Sequence, residues 1–116
     1  MSLVDPPSRS HTLRKSLSRL ETGIRALRQM YATESVKQWF APGNQQEILL
    51  AGKYLEQSER RASKLPYLLD HGATKMAAKV LRKARESFTA AHSVMNRVKA
   101  EEEQFRLKVT EEIHLS

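Results

Sequence analysis

The sequence predicts an all-α fold, an antiparallel up-down-up three-helix bundle with a long C-terminal helix. Three observations carry that expectation. Apolar residues recur at alternating steps of four and three in three separate stretches. Ala, Leu, Lys, Arg, Glu and Gln dominate, while β-branched residues are sparse and never alternate. The two clearest breaks, Ala41-Pro42-Gly43-Asn44 and His71-Gly72, are short, so successive helices must return alongside one another.

Residues 1–10 contain Asp5-Pro6-Pro7 and several serines and read as a flexible N-terminal arm. Residues 11–116 then form a single three-helix bundle domain, a size that buries enough apolar surface to fold without staples. The first helix is expected over His11–Phe40, with Ser8 or Ser10 as N-cap. Its seam is Leu13, Leu17, Leu20, Ile24, Leu27 and Tyr31. Beyond Tyr31 the register breaks, because Glu34 and Gln38 fall on the seam. Val36, Trp39 and Phe40 take over on a shifted face, so a kink or restart near Thr33 is expected, with Trp39 and Phe40 either plugging the top of the bundle or standing exposed as an anchor for a partner.

The second helix is expected over Gln45–His71. Asn44 and Glu47 have the spacing of a capping box. The seam of Ile48, Ala51, Leu55, Ser58, Ala62, Leu65 and Leu69 is rich in small residues, which suits close approach by a neighbour. Pro66 restarts or kinks the helix, and His71-Gly72 ends it. The third helix is expected over Thr74–His114, since no glycine or proline interrupts Ala73 to Ser116. Its seam of Ala77, Leu81, Ala84, Phe88, Ala91, Met95, Val98, Glu102, Phe105 and Val109 is extended by Ile113 and Leu115. At 1.5 Å per residue it spans roughly 60 Å, against about 45 Å for the first helix, so its end overhangs the bundle. The glutamate pairs Glu21 with Arg25, Glu56 with Arg60 and Glu102 with Arg106 mark exposed faces.

The chain has 116 residues, a formal net charge of +7 and no cysteine. The absent thiols exclude disulfides and thiolate zinc sites and fit a reducing compartment. No apolar run approaches a membrane span, and the N-terminus lacks the apolar core of a signal peptide. The expectation is a cytoplasmic protein.

Positive charge is concentrated in two stretches. Arg9, Arg14, Lys15, Arg19, Arg25 and Arg28 accompany a single acid, Glu21, and Lys75, Lys79, Arg82, Lys83 and Arg85 accompany none. In an up-down-up bundle the starts of helices one and three share a pole, and their N-terminal dipole ends add to its charge. Arg14, Lys15, Arg19, Lys75, Lys79, Arg82 and Lys83 are therefore the candidate residues for binding an acidic partner. The simpler account is that they are solvated helix faces, which need no partner. The opposite end carries Glu101, Glu102, Glu103, Glu111 and Glu112. Phe105, Val109, Ile113 and Leu115 continue the apolar face beyond the bundle and are the candidate protein-interaction stripe.

Catalytic and metal chemistry find no foothold. The histidines, His11, His71, His92 and His114, are far apart and form no i, i+4 pair. There is no glycine-rich phosphate loop, no nucleophile elbow and no Glu-x-x-His pair of a di-iron bundle. Met30, Met76 and Met95 read as core filler. No cofactor, no metal and no enzymatic activity are expected.

The residues Leu17-Ser18-Arg19-Leu20-Glu21, Ile24 and Leu27-Arg28-Gln29, followed by Leu55-Glu56, Leu65, Leu69-Asp70 and Ala78, resemble the helical domain of the primosomal replication protein PriC family over about residues 13–95. The family's Arg-Phe-Asp with a following Leu-Phe is replaced here by Gln38-Trp39-Phe40 before Ala41-Pro42, and its basic C-terminal half is missing. The resemblance implies a helical domain that binds single-stranded DNA-binding protein and helps reload a replicative helicase. Two functions follow as expectations. The first is a non-enzymatic module that binds single-stranded nucleic acid, or the acidic tail of a nucleic-acid-binding protein, through the basic pole. The second is a structural or adaptor coiled coil, such as a secretion chaperone or assembly subunit. It would act through the C-terminal helix by self-association or by docking a helical partner.

Overall fold

The computed structural model describes residues 7–37 and 44–115, with side chains over 9–36 and 44–114. Among these residues there is no strand. Four helical segments follow one another: α1 (Pro7–Lys37), α2 (Gln45–Ala62), α3 (Leu65–Asp70) and α4 (Thr74–Leu115). They pack into an elongated body of 78 × 20 × 16 Å.

Helix α1 begins four residues earlier than the sequence pattern suggests. Pro7 stands at its first position, where the ring's fixed φ is already helical and its missing N–H costs nothing. Ser8 and Ser10 thus lie inside the helix and are not its N-cap. The rest of the expected arm, residues 1–6, lies outside the described residues. The break near Thr33 is also absent, since α1 runs unbroken to Lys37. The original register continues through Glu34, which is buried at 3% exposure, whereas Val36 faces solvent at 63%. Trp39 and Phe40 lie outside the described residues.

Helix α2 starts after Asn44, whose side chain makes no capping hydrogen bond, so the expected capping box does not form. Glu47 instead holds Oε2 buried with no hydrogen-bond partner among the described residues. The stop after Ala62 follows from Pro66. A proline has no N–H to give the carbonyl four residues back, which is that of Ala62, and its ring crowds that oxygen. The chain crosses Ser63 and Lys64 as a turn and resumes as α3. Gly72 closes α3 with φ +70°. Its N–H bonds to the Leu69 oxygen, and the Ala73 N–H reaches the Leu68 oxygen at 2.9 Å. That is a Schellman ending, and the left-handed residue it needs is the glycine.

The seams face inward as expected. Leu17, Leu20, Ile24 and Leu27 of α1, Ile48, Ala51 and Leu55 of α2, Leu65 and Leu69 of α3, and Ala77, Leu81, Ala84, Ala91, Val94, Met95 and Val98 of α4 form one core. The broadest contact is between α2 and α4. It is lined by small residues: Ala51, Ser58 and Ala62 on α2 and Ala77, Ala84 and Ala91 on α4 are all buried. Small side chains let two helix backbones approach closely, and dispersion forces between them grow accordingly. Phe88 departs from expectation, being only partly buried. Its ring lies over Gly23, where an added Cβ would come within 2.9 Å of the ring's Cζ, and stacks on His92. Met30 packs against the core and Met95 lies inside it, but Met76 is exposed.

Residue pairs fix the alignment. Arg14 reaches Asp70, Arg28 reaches Glu59, and Tyr31 sits over Gly52, so advancing along α1 means retreating along α3 and α2. Leu13 and Ala78 share one groove, and Ser16, Arg19 and Leu20 share the next with Arg85, Phe88 and Thr89, so α1 and α4 advance together.

Candidate binding interface

Of the seven basic residues singled out above, three lie on α1 and four on α4, and those of α1 do not share one side. Arg14 turns towards α3 and donates to Asp70 Oδ1 at 2.8 Å. Arg28, farther along the same flank, pairs with Glu59 of α2 and lies over the Tyr31 ring. Arg25 turns to Thr22 Oγ1 rather than to Glu21. The cations between α1 and α2–α3 are therefore partly neutralised by acids of the neighbouring helix.

The other flank of α1 differs. There α1 and α4 leave an open groove of about 520 Å³, lined by Leu13, Ser16, Ala78, Leu81, Arg82, Arg85, Glu86 and Thr89. It continues into a second recess that adds Arg19, Leu20 and Phe88. Arg19, Arg82 and Arg85 are all exposed, and none forms an ion pair among the described residues. Leu13, Ala78 and Leu81 give the lining its apolar surface, and the charged side chains around the two recesses are Arg19, Arg82 and Arg85 with one acid, Glu86. Lys15 is exposed one turn before Arg19, and spacing of four puts it on the same face. Lys75, Lys79 and Lys83 form an exposed row on α4 at successive steps of four. The Lys83 end of that row borders α2, because Arg61 of α2 donates to the Lys83 carbonyl and to Ser87 Oγ at 2.5 Å.

Arg82 thus lines the first recess and Arg19 the second, Arg85 lines both, and Lys15 lies on the face of Arg19. The structure sets Arg14 apart in an ion pair and carries Lys75, Lys79 and Lys83 round the outer side of α4. Arg85 is the residue that sequence reasoning left out of the site. Its signal was present, since it stands three positions after Arg82 on the face that meets α1.

The second candidate region is the end of α4. Val98 is its last buried residue, and from Lys99 to His114 every side chain except that of Glu102 is exposed. Phe105 is 65% exposed, Val109 38% and Ile113 68%. Leu115 belongs to the helix, but its side chain lies outside the described residues. Leu107, on the opposite side of the helix from Phe105, is exposed as well. Arg106 holds Glu103 at 2.6 Å.

No group of three or more histidines, aspartates or glutamates able to hold a metal occurs among the described residues. None of the described helices is long and apolar enough to cross a membrane. No family model, curated protein or solved structure matches the chain.

Proposed function

We propose that the chain is a non-enzymatic binding module: an up-down-up three-helix bundle that takes an acidic, partly apolar protein segment into the groove between α1 and α4. One observation carries this reading. Arginines on the α2–α3 flank of α1 are matched by Asp70 and Glu59, while Arg19, Arg82 and Arg85 line the groove without a matching ion pair. Arginine presents a planar fork of donors suited to carboxylates, and the three arginines of the two adjoining recesses outnumber their one acid, Glu86, which raises the local concentration of anions.

The apolar floor favours a protein segment over a bare phosphate chain. Single strands are held by aromatic platforms as well as by charge, and the only aromatic at the groove, Phe88, is half-buried beneath it. An acidic helix or tail can satisfy both the walls and the floor. The resemblance to the PriC family, whose implied partner is a single-stranded DNA-binding protein, supports the same reading. On that basis a cytoplasmic role in replication restart belongs to the proposal.

The test is binding of a fluorescent poly-glutamate peptide and of a single-stranded oligonucleotide, each at low and high salt. Affinity should fall steeply with salt. Reversing Arg82 and Arg85 to glutamate should abolish peptide binding at unchanged stability, while Arg28→Ala should leave binding intact and cost about 0.2–1 kcal/mol of stability, as part-exposed ion pairs do. Absence of binding by the wild type to either probe at low salt would overturn the reading. Tight binding of the oligonucleotide alone would replace the protein partner with nucleic acid.

A further inference from the structure

We infer that the corner where α3 turns into α4 is a second binding surface, separate from the groove, and that it takes single-stranded nucleic acid. It uses none of the residues that line the groove and stands or falls independently of them.

Two observations meet at this corner, and the first is charge. From Arg60 to Arg85 the only acid is Asp70, and Arg14 of α1 holds it at 2.8 Å. Lys64 comes just before α3, and Lys75, Lys79 and Lys83 follow along α4. All four are exposed, and none forms an ion pair among the described residues. The first acid of α4, Glu86, comes after the row. Steps of four set the three α4 lysines about 6 Å apart along the axis, so each can meet a different phosphate of one strand. An ammonium on a flexible stem suits that task, since it asks for no fixed fork geometry.

The second observation is a pair of rings. Tyr67 is 66% exposed, and its ring stacks on that of His71 with centroids 4.0 Å apart and planes 30° apart. The imidazole is anchored from beneath, with Nδ1 2.8 Å from the Tyr67 carbonyl oxygen. The helix fixes where these rings point. Leu65 and Leu69 enter the core and Asp70 turns to α1, so Tyr67 and His71, one turn apart, are left facing outward. The Gly72 turn then sets platform and lysine row in a fixed relation, because the Ala73 N–H is tied back to the Leu68 oxygen. An exposed ring already held in place loses little freedom when a planar partner stacks on it. Stacking rings beside a cationic track are the means by which single strands are held without regard to sequence.

The same features disfavour other occupants. An acidic peptide gains from arginine forks and apolar lining, which belong to the groove. A duplex keeps its bases stacked on one another and offers the rings nothing. A membrane surface takes several apolar side chains from an interfacial protein, but from Arg60 to Arg85 the large apolar side chains standing exposed are Tyr67 and Met76.

Fluorescence anisotropy of a labelled single-stranded oligothymidylate, titrated with the full-length protein, tests this. The wild type is expected to bind at low salt, with a slope of log affinity against log salt near about −3 for four lysine–phosphate contacts. Lys75→Ala with Lys79→Ala should flatten that slope by about 1 to 1.5. Tyr67→Ala should weaken binding roughly five- to a hundredfold at unchanged slope, and Tyr67→Phe should restore it. These side chains are exposed, and circular dichroism melting should show the variants as folded as the wild type. Binding of poly-glutamate by Tyr67→Ala should match that of the wild type, since the rings lie outside the groove. Ultraviolet cross-linking should attach the oligonucleotide to tryptic peptide 65–75. A wild type that does not bind oligothymidylate at low salt overturns the inference. So does a Tyr67→Ala protein that binds it as tightly as the wild type, or cross-links confined to the groove residues. Tighter binding of a duplex of the same length overturns it in favour of plain phosphate attraction.

Discussion

Ser58 donates its hydroxyl to the carbonyl oxygen of Ala84 at 2.8 Å, joining α2 to the backbone of α4 where both residues are wholly buried. Such a bond needs a backbone within reach, and Ala84 provides it by having nothing beyond its Cβ. Replacing Ser58 by alanine should cost about 1 kcal/mol, the net worth of one hydrogen bond. Ala84→Leu should cost about 1–3 kcal/mol, because the added side chain has no room between the helices. Leu55→Ala, at 1% exposure, should cost roughly 2–5 kcal/mol through loss of burial and the cavity it leaves. Urea unfolding ranks the three, and an Ala84→Leu protein as stable as the wild type would contradict the close α2–α4 contact.

Gly72 gives a cleaner test of a backbone term. Nothing lies within 4 Å of where its Cβ would be, yet its φ is +70°. Gly72→Ala should therefore destabilise by about 1–2 kcal/mol through conformation alone. Gly72→Asn should cost less, since asparagine tolerates the left-handed region. Equal effects from the two substitutions would mean that the Schellman ending is not what limits this turn.

A chain ended after Glu103 should unfold at nearly the same denaturant concentration as the full-length protein, within about 0.5 kcal/mol. None of the side chains from Gln104 to His114 is buried, so the core loses nothing. Helical circular dichroism should fall in proportion to the missing residues, and any self-association should fall with it. A loss of several kcal/mol would show that the tail packs on its own bundle in solution.

The fold was legible because period and punctuation agreed. Seams at steps of four and three named the buried faces, and Pro66 and Gly72 marked a break and an end by mechanisms that need no tertiary information. Errors arose where tertiary packing overruled local pattern. Glu34 interrupts the apolar seam of α1, but the helix carries the carboxylate inward and keeps its register. Asn44 and Glu47 had capping-box spacing without the bond. The candidate site was legible as charge but not as geometry. Sequence showed that Arg14 and Arg82 are both basic. Only the alignment of α1 against α3 showed that one faces Asp70 and the other a groove.

The small-residue contact between α2 and α4 also bears on the order in which the protein comes apart. It is the broadest contact in the bundle, joining α2 and α4 more extensively than α1 joins either helix, so the α2–α4 pair should hold while α1 opens first. In native-state hydrogen exchange, amides of α1 should then open at lower free energy than those around Leu55 and Ala84. Because α1 supplies one wall of the groove, each such opening dismantles the interface while the α2–α4 pair stays folded. A bound acidic segment should slow exchange in α1 selectively, by an amount set by its concentration relative to its dissociation constant.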